Sequence, residues 1–287
     1  MLTQPTEIDT SKKSTLRSGA TIKKAFFPTN TQELSQVCMY LEDKKPVILG
    51  GISNCLILED IPFAIILTNM RGIEMEDKYL IASAGENLSH LSHFVGLLGL
   101  SGLENLIGIP GTLGGAVYGN SGSFGVNISD FVYSVKIYNR KTNEFEEYKR
   151  SEIGFFDRNT TFIKDWDIIT SVKLEFPTKS PAEITERMDE VISKRKNSQP
   201  NYASLGSVFR KYDNISAGYF IEKAGLKGKK IGDMQVSEKH ANFIINTNKG
   251  TTKDYYNLMC FVENEVYQQL GIKLVREVRV IGKHENL

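Results

Sequence analysis

The run from Gly99 to Gly125, GLSGLENLIGIPGTLGGAVYGNSGSFG, holds nine of the chain's 24 glycines in 27 positions. Leu100, Leu103, Leu106, Ile107, Ile109, Leu113, Ala116, Val117 and Phe124 are threaded through it. Apolar residues at that density must be buried, and burial needs a fixed backbone, so the run is no flexible linker. Glycine serves where φ must be positive or where another group approaches the main chain closely. A packed wall with bare N–H groups can cradle a phosphate or a flat ring system. Tight turns at the corners of a sheet are the plainer use of such glycines. Neither the G-x-G-x-x-G dinucleotide fingerprint nor a G-x-x-x-x-G-K-[ST] phosphate loop occurs. His90 and His93 stand three apart on an expected helix, but no Cys, Asp or Glu completes a ligand set, so no metal site is expected. Cys38, Cys55 and Cys260 are odd in number and widely spaced, which suits small buried residues in a reducing compartment.

The elements that must position this wall follow from periodicity. Residues 1 to 14 read as a loosely held polar arm. A helix is predicted from Thr31, as N-cap, to about Asp43, with Leu34, Val37, Cys38 and Leu41 at helical spacing. Strands are predicted at 46–50, 55–58, 63–67 and 79–82, and a helix over 88–98 delivers the chain into the glycine run. Residues 132–138 and 145–148 flank Lys141-Thr-Asn-Glu as a hairpin, and 168–176 forms a further strand. Pro177-Thr-Lys-Ser-Pro181 is the expected domain boundary. Beyond it come a charged helix at 182–196, strands at 208–209, 240–246 and 274–281, and a helix from Thr252 to Leu270. The apolar stripe of that last helix is Tyr255, Leu258, Met259, Val262 and Val266, with Gly271 as its stop. Irregular alternation with hairpins indicates an α+β fold.

The glycine run resembles the flavin-binding segment of the UDP-N-acetylenolpyruvoylglucosamine reductase (MurB) family, and the likeness extends from about Thr15 to Gly282. The resemblance implies a two-lobed FAD-binding domain of the vanillyl-alcohol-oxidase (PCMH) type over 20–177, after an N-terminal segment at 1–19. A smaller α+β substrate-binding domain would follow over 178–287. It implies non-covalent FAD, NADPH as hydride donor, and reduction of the enolpyruvyl ether of a UDP-sugar to a lactyl ether. It also marks Gly50, Gly51, Ser53, Asn54, Gly108, Ile109, Pro110, Gly111, Thr112, Gly114, Gly115, Asn120 and Gly122 as cofactor-binding. In the G-x-G-S-N turn of the family, the last glycine is here Ile52, which confines the backbone to negative φ unless strain is accepted.

Reducing an enol ether needs a hydride, a proton, and stabilisation of the charge that builds up between them. In their own context, the Gly-Ser before Val208 is an ordinary turn, Arg158 a solvated loop residue, and Glu277 part of a half-exposed strand. The resemblance assigns them otherwise. Ser207 matches the proton-donating serine of G-S-x-F, and Glu277 the glutamate of E-V-R-x-I-G. Arg158 matches the arginine of Y-R-D-S-x-F, although Asp157 and Thr160 depart from that pattern. Arg195, Lys196, Gln199 and Arg210 match substrate-binding segments, with Ser198 and Lys211 departing. By its length the chain resembles the family's shorter branch, which lacks the tyrosine-bearing insertion of the longer one. A paralogue reducing another substrate with FAD, or a non-catalytic FAD-binding regulator, are the alternatives.

With 35 Lys plus Arg against 34 Asp plus Glu, the net charge of +1 gives no support for nucleic-acid binding. No apolar stretch approaches the ~20 residues of a membrane span, and the N-terminus shows no signal-peptide pattern. A cytoplasmic monomer acting on small ligands is expected.

Overall fold

The computed structural model describes residues 4–42, 44–164 and 166–282. The chain divides into two compact units. The first takes the described residues up to Thr6, Lys24–Gly51 and Pro62–Lys194; the second takes Glu7–Lys23, Ile52–Ile61 and those from Arg195 onward. This differs from contiguous blocks that meet at the two prolines. The helix after them buries Ile184, Met188 and Val191 with Ile107 of the glycine run, so it belongs with the first unit. Leu16 and Leu56, early in the chain, lie in the core of the second.

In the first unit, α1 (Thr31–Tyr40) buries Leu34, Val37 and Cys38. Its N-cap is Asn30 and not Thr31, because the Asn30 Oδ1 accepts the Glu33 N–H at 2.9 Å. The helix ends at Tyr40; Asp43, where it was expected to end, lies outside the described residues. Helix α2 (Leu88–Leu97) is capped by Asn87, α3 (Leu113–Tyr118) by Thr112, and α4 spans Pro181–Ser198. Gly96 lets α2 and α4 pack closely, since a Cβ there would sit 2.7 Å from Met188 Cε. An antiparallel sheet runs in the order Glu144–Lys149, Val132–Asn139, Asp167–Glu175, Tyr79–Ser83 and Ile73–Glu76. The predicted hairpin is its first pair, with Asn139 opposite Glu144.

In the second unit, α5 spans Ala217–Lys223 and α6 spans Thr252–Leu270. Helix α6 has the predicted bounds and buried stripe, and Gly271 ends it at φ 69°. An antiparallel sheet runs Ala203–Ser207, Phe243–Asn246, Met234–Val236, Lys230–Ile231. Three expectations change here. The strand precedes Val208, at Ala203–Ser207. The expected strand at 274–281 reduces to Arg279–Ile281, parallel to Cys55–Ile57, plus a single bridge from Arg276 to Phe209. Part of the expected loose arm is regular: Thr6–Asp9 is a strand, and fully buried Thr10 donates its hydroxyl to Ala20 O at 2.7 Å. Cys38 is buried, whereas Cys55 and Cys260 are half-buried. Burial pushes the Cys38 thiol up to about 12 and that of Cys55 to about 11.

Candidate active site

Two glycine runs distant in sequence meet in the first unit. A Cβ on Gly50 would lie 2.4 Å from Thr112 Oγ1, and one on Gly51 would lie 2.9 Å from Gly111 Cα. Only glycine permits that approach. Gly114 packs equally closely on Ala84, at 2.8 Å from its Cβ. The N–H groups of Gly108, Ile109, Leu113, Gly114 and Gly115 are engaged by Ser89 Oγ, Leu106 O, Glu86 O, Ala84 O and Thr112 Oγ1. At those five positions the wall is therefore not the row of bare donors that its composition suggested. Gly114 there serves close packing, and Gly108 a positive φ of 78°.

Arg158 occupies the turn between the short paired strands Phe155–Phe156 and Asn159–Thr160, with φ at 54°. Its guanidinium donates to Gly122 O at 3.0 Å and to Asn120 O at 3.4 Å. In return Asn120 Nδ2 donates to Phe156 O at 2.9 Å, and Thr160 Oγ1 donates to Tyr118 O at 3.1 Å. Thr160, a departure from the family pattern, thus retains a hydroxyl anchor. The candidate arginine and the end of the glycine run are laced together. Asn120 is 6% exposed, and its Oδ1 has no partner among the described residues. A buried acceptor of this kind fits a bound molecule that brings an N–H or O–H.

The second unit brings the segment after Ser207 and the segment of Glu277 together through the backbone. Gly206, at φ 79° with open space around it, breaks the register of the strand between Ser204 and Ser207. A bulge of this kind re-aims the side chain that follows. Glu277 N–H then donates to Val208 O at 2.8 Å, and Arg210 N–H donates to Val275 O at 2.8 Å. Asn54 Nδ2 donates to Glu277 O at 3.1 Å, so one residue of the glycine-rich turn pins the main chain of the glutamate. Glu277 lies between the Arg276 bridge and the final strand, not within a strand as expected. Ile52 is 4% exposed and adopts φ 50°, so the strain of a β-branched left-handed residue is accepted here.

Asn242 was invisible to sequence reasoning. Its amide accepts from Phe209 N–H at 3.0 Å and donates to Phe209 O at 2.8 Å, holding the residue two after Ser207. Of the candidate substrate-binding residues, Arg195 is half-buried and burial lowers its pKa. Lys196 is exposed, its carbonyl accepting Lys239 Nζ at 2.6 Å, and Gln199 N–H continues the helix to Arg195 O. A polar groove of about 710 Å³ in the same unit is lined by Ser14, Thr15, Arg17, Tyr202 and Asn246, among others, and includes neither Ser207 nor Glu277. No group of three metal-ligating side chains occurs among the described residues.

The profile of the UDP-N-acetylenolpyruvoylglucosamine reductase C-terminal domain matches residues 199–281, and that of an FAD binding domain matches residues 22–144. The chain is 34% identical over 278 residues to the UDP-N-acetylenolpyruvoylglucosamine reductase of Latilactobacillus sakei, covering 95% of this chain and 91% of that one. The chain belongs to the UDP-N-acetylenolpyruvoylglucosamine reductase family. A second relative in the family, reductase 2 of Bacillus cereus, is 34% identical, covering 89% of this chain and 85% of that one. The crystal structure of the family's enzyme from Thermus caldophilus superposes with a TM-score of 0.82 at 29% identity, covering 97% of this chain and 99% of that one. The α+β fold with an FAD-binding domain is thereby that of the family, and the chain is an FAD-containing oxidoreductase. No helix among the described residues is long and apolar enough to cross a membrane.

Proposed function

We propose that this chain reduces the enolpyruvyl ether of UDP-N-acetylglucosamine to the lactyl ether of UDP-N-acetylmuramate, a step of peptidoglycan synthesis, with Ser207, Arg158 and Glu277 as catalytic residues. Bound FAD, reduced by NADPH, supplies the hydride. The residues that would hold it are Gly50, Gly51, Ser53, Asn54, residues 108–112, Gly114, Gly115, Asn120 and Gly122. Ser207 gives its hydroxyl proton to the carbon beside the substrate carboxylate. Arg158 offsets the negative charge that develops there through charge-assisted hydrogen bonds, and Glu277 assists the protonation. Arg195, Lys196, Gln199 and Arg210 bind the UDP-sugar. The protein acts as a cytoplasmic monomer without nucleic-acid or membrane partners; the balanced net charge of +1 supports the absence of a nucleic-acid partner.

The observation that carries the assignment is the pairing of Val208 and Phe209, the residues that follow Ser207, with Glu277 and Arg276, which brings the serine and glutamate segments onto adjoining backbone. Replacing Ser207 by alanine tests it. NADPH should bleach the flavin at near wild-type speed, while reoxidation by the UDP-enolpyruvyl sugar slows by about 10²–10⁴-fold, the usual cost of a lost general acid. Stopped-flow absorbance reads both steps. Slowing of less than about tenfold, short of that range, would make Ser207 a turn residue only.

A further inference from the structure

Arg276, the neighbour of Glu277, is gripped by one face of α6. Its Nε and Nη2 donate to the two carboxylate oxygens of Glu263, each at 2.6 Å. Nη2 also lies 3.3 Å from Cys260 Sγ, and the guanidinium carbon stands 5.2 Å from the centre of the Tyr256 ring. Tyr256, Cys260 and Glu263 recur at the spacing of a single helix face. The ion pair is half-buried, with the two side chains 30% and 24% exposed. Its planar, two-point geometry fixes the guanidinium in a way a lysine could not. The Glu263 carboxylate also raises the arginine's pKa, which keeps the guanidinium charged.

The main chain of the same residue is held from the other direction. Arg276 bridges Phe209, and the flanking Glu277 N–H and Val275 O bond to Val208 and Arg210. Successive side chains of an extended segment leave on opposite sides. Anchoring Arg276 on α6 therefore sets the side from which Glu277 departs. Neutralisation by Glu263 also keeps the guanidinium from swinging onto the adjacent glutamate. We propose that the Arg276–Glu263 pair is the positioning device of Glu277, so that α6 contributes to the substrate-reducing step without touching substrate.

This inference rests on the role assigned to Glu277 above, and the experiment separates the two. Rapid-mixing measurements compare Glu263→Gln, Arg276→Lys, Glu277→Gln and the charge-swapped double variant Glu263→Arg/Arg276→Glu. Glu263→Gln and Arg276→Lys should each slow reoxidation of the reduced flavin by the UDP-enolpyruvyl sugar about tenfold, within the range of coupled neighbours. Flavin content and the NADPH step should stay as in wild type, with KM for the UDP-sugar changed far less than kcat. The charge-swapped pair should recover part of the loss. A purely structural contact would instead lower both half-reactions and flavin retention together, and that outcome would overturn the proposal. It would also fail if Glu277→Gln slowed reoxidation while Glu263→Gln and Arg276→Lys did not. If Glu277→Gln itself left reoxidation unchanged, the assignment of Glu277 would be at fault.

Discussion

The turn that carries Arg158 and the segment that carries Glu277 both bind a charged residue to neighbouring backbone, but they grip different parts of it. At Arg158 the side chain is the structural group, donating to Asn120 O and Gly122 O at the end of the glycine run. At Glu277 the main chain does that work: its N–H bonds to Val208 O and its carbonyl accepts from Asn54. Removing the arginine's side chain therefore removes part of the loop's support. Neutralising the glutamate's side chain leaves those main-chain bonds in place.

The largest expected effect breaks this comparison most sharply. Glu277→Gln should slow flavin reoxidation by the UDP-enolpyruvyl sugar about 10²–10⁴-fold, with an unchanged melting temperature and full flavin content. Arg158→Ala should slow the same step and also destabilise the protein by about 1–3 kcal/mol, the cost of leaving part-buried carbonyls unpaired. Thermal melts beside stopped-flow traces separate the two patterns. If both variants lost stability equally, the distinction between side-chain and main-chain support would be wrong.

A smaller effect sharpens the account at Ile52. Burial favours the isoleucine, while its left-handed backbone costs about 1–3 kcal/mol. Losing most of a buried isoleucine costs about 2–5 kcal/mol, so burial outweighs strain. Stability should rank Ile52 above Ile52→Gly, and Ile52→Gly above Ile52→Ala by about 1 kcal/mol, because only glycine relieves the strain. Denaturant titration gives the order. Alanine ranking above glycine would show that the turn relaxes out of its positive φ.

The smallest effect concerns pH. His240 Nδ1 accepts the Asn242 N–H at 3.2 Å, and Asn242 in turn holds Phe209. Burial, above all, lowers the His240 pKa from 6.5. The unfolded chain therefore takes up the proton first as pH falls below that value, and stability present at neutral pH is lost through the window down to the folded-state pKa. The melting temperature should decline between pH 7 and 5, by about a few degrees in a protein of this size. His240→Phe should flatten that slope relative to wild type. An equal slope in the variant would assign the acid sensitivity to other groups.

How much of this was legible in sequence depends on the range of the interactions. The bounds and stripe of helix α6 were readable, because its apolar spacing and Gly271 are local signals. The hairpin at 132–149 was readable for the same reason. The Ser207 segment was not, because its geometry depends on Gly206 in the left-handed region and on Asn242, far along the chain. The grip of Arg158 on the glycine run was equally hidden, since a polar loop in sequence carries no sign of the carbonyls it will meet. Ile52 stood out as a departure, but only the structure shows that burial holds it at positive φ. The packing of α4 was hidden for a physical reason as well: two prolines end a strand, yet they do not prevent α4 from packing back onto Ile107.

The most direct test of the central claim is anaerobic reoxidation of the NADPH-reduced wild-type protein. On mixing with the UDP-enolpyruvyl sugar, the oxidised-flavin absorbance should recover rapidly and in full, one substrate consumed per flavin. Flavin that stays reduced in the presence of that sugar, while reoxidising with another electron acceptor, would contradict the assigned reaction.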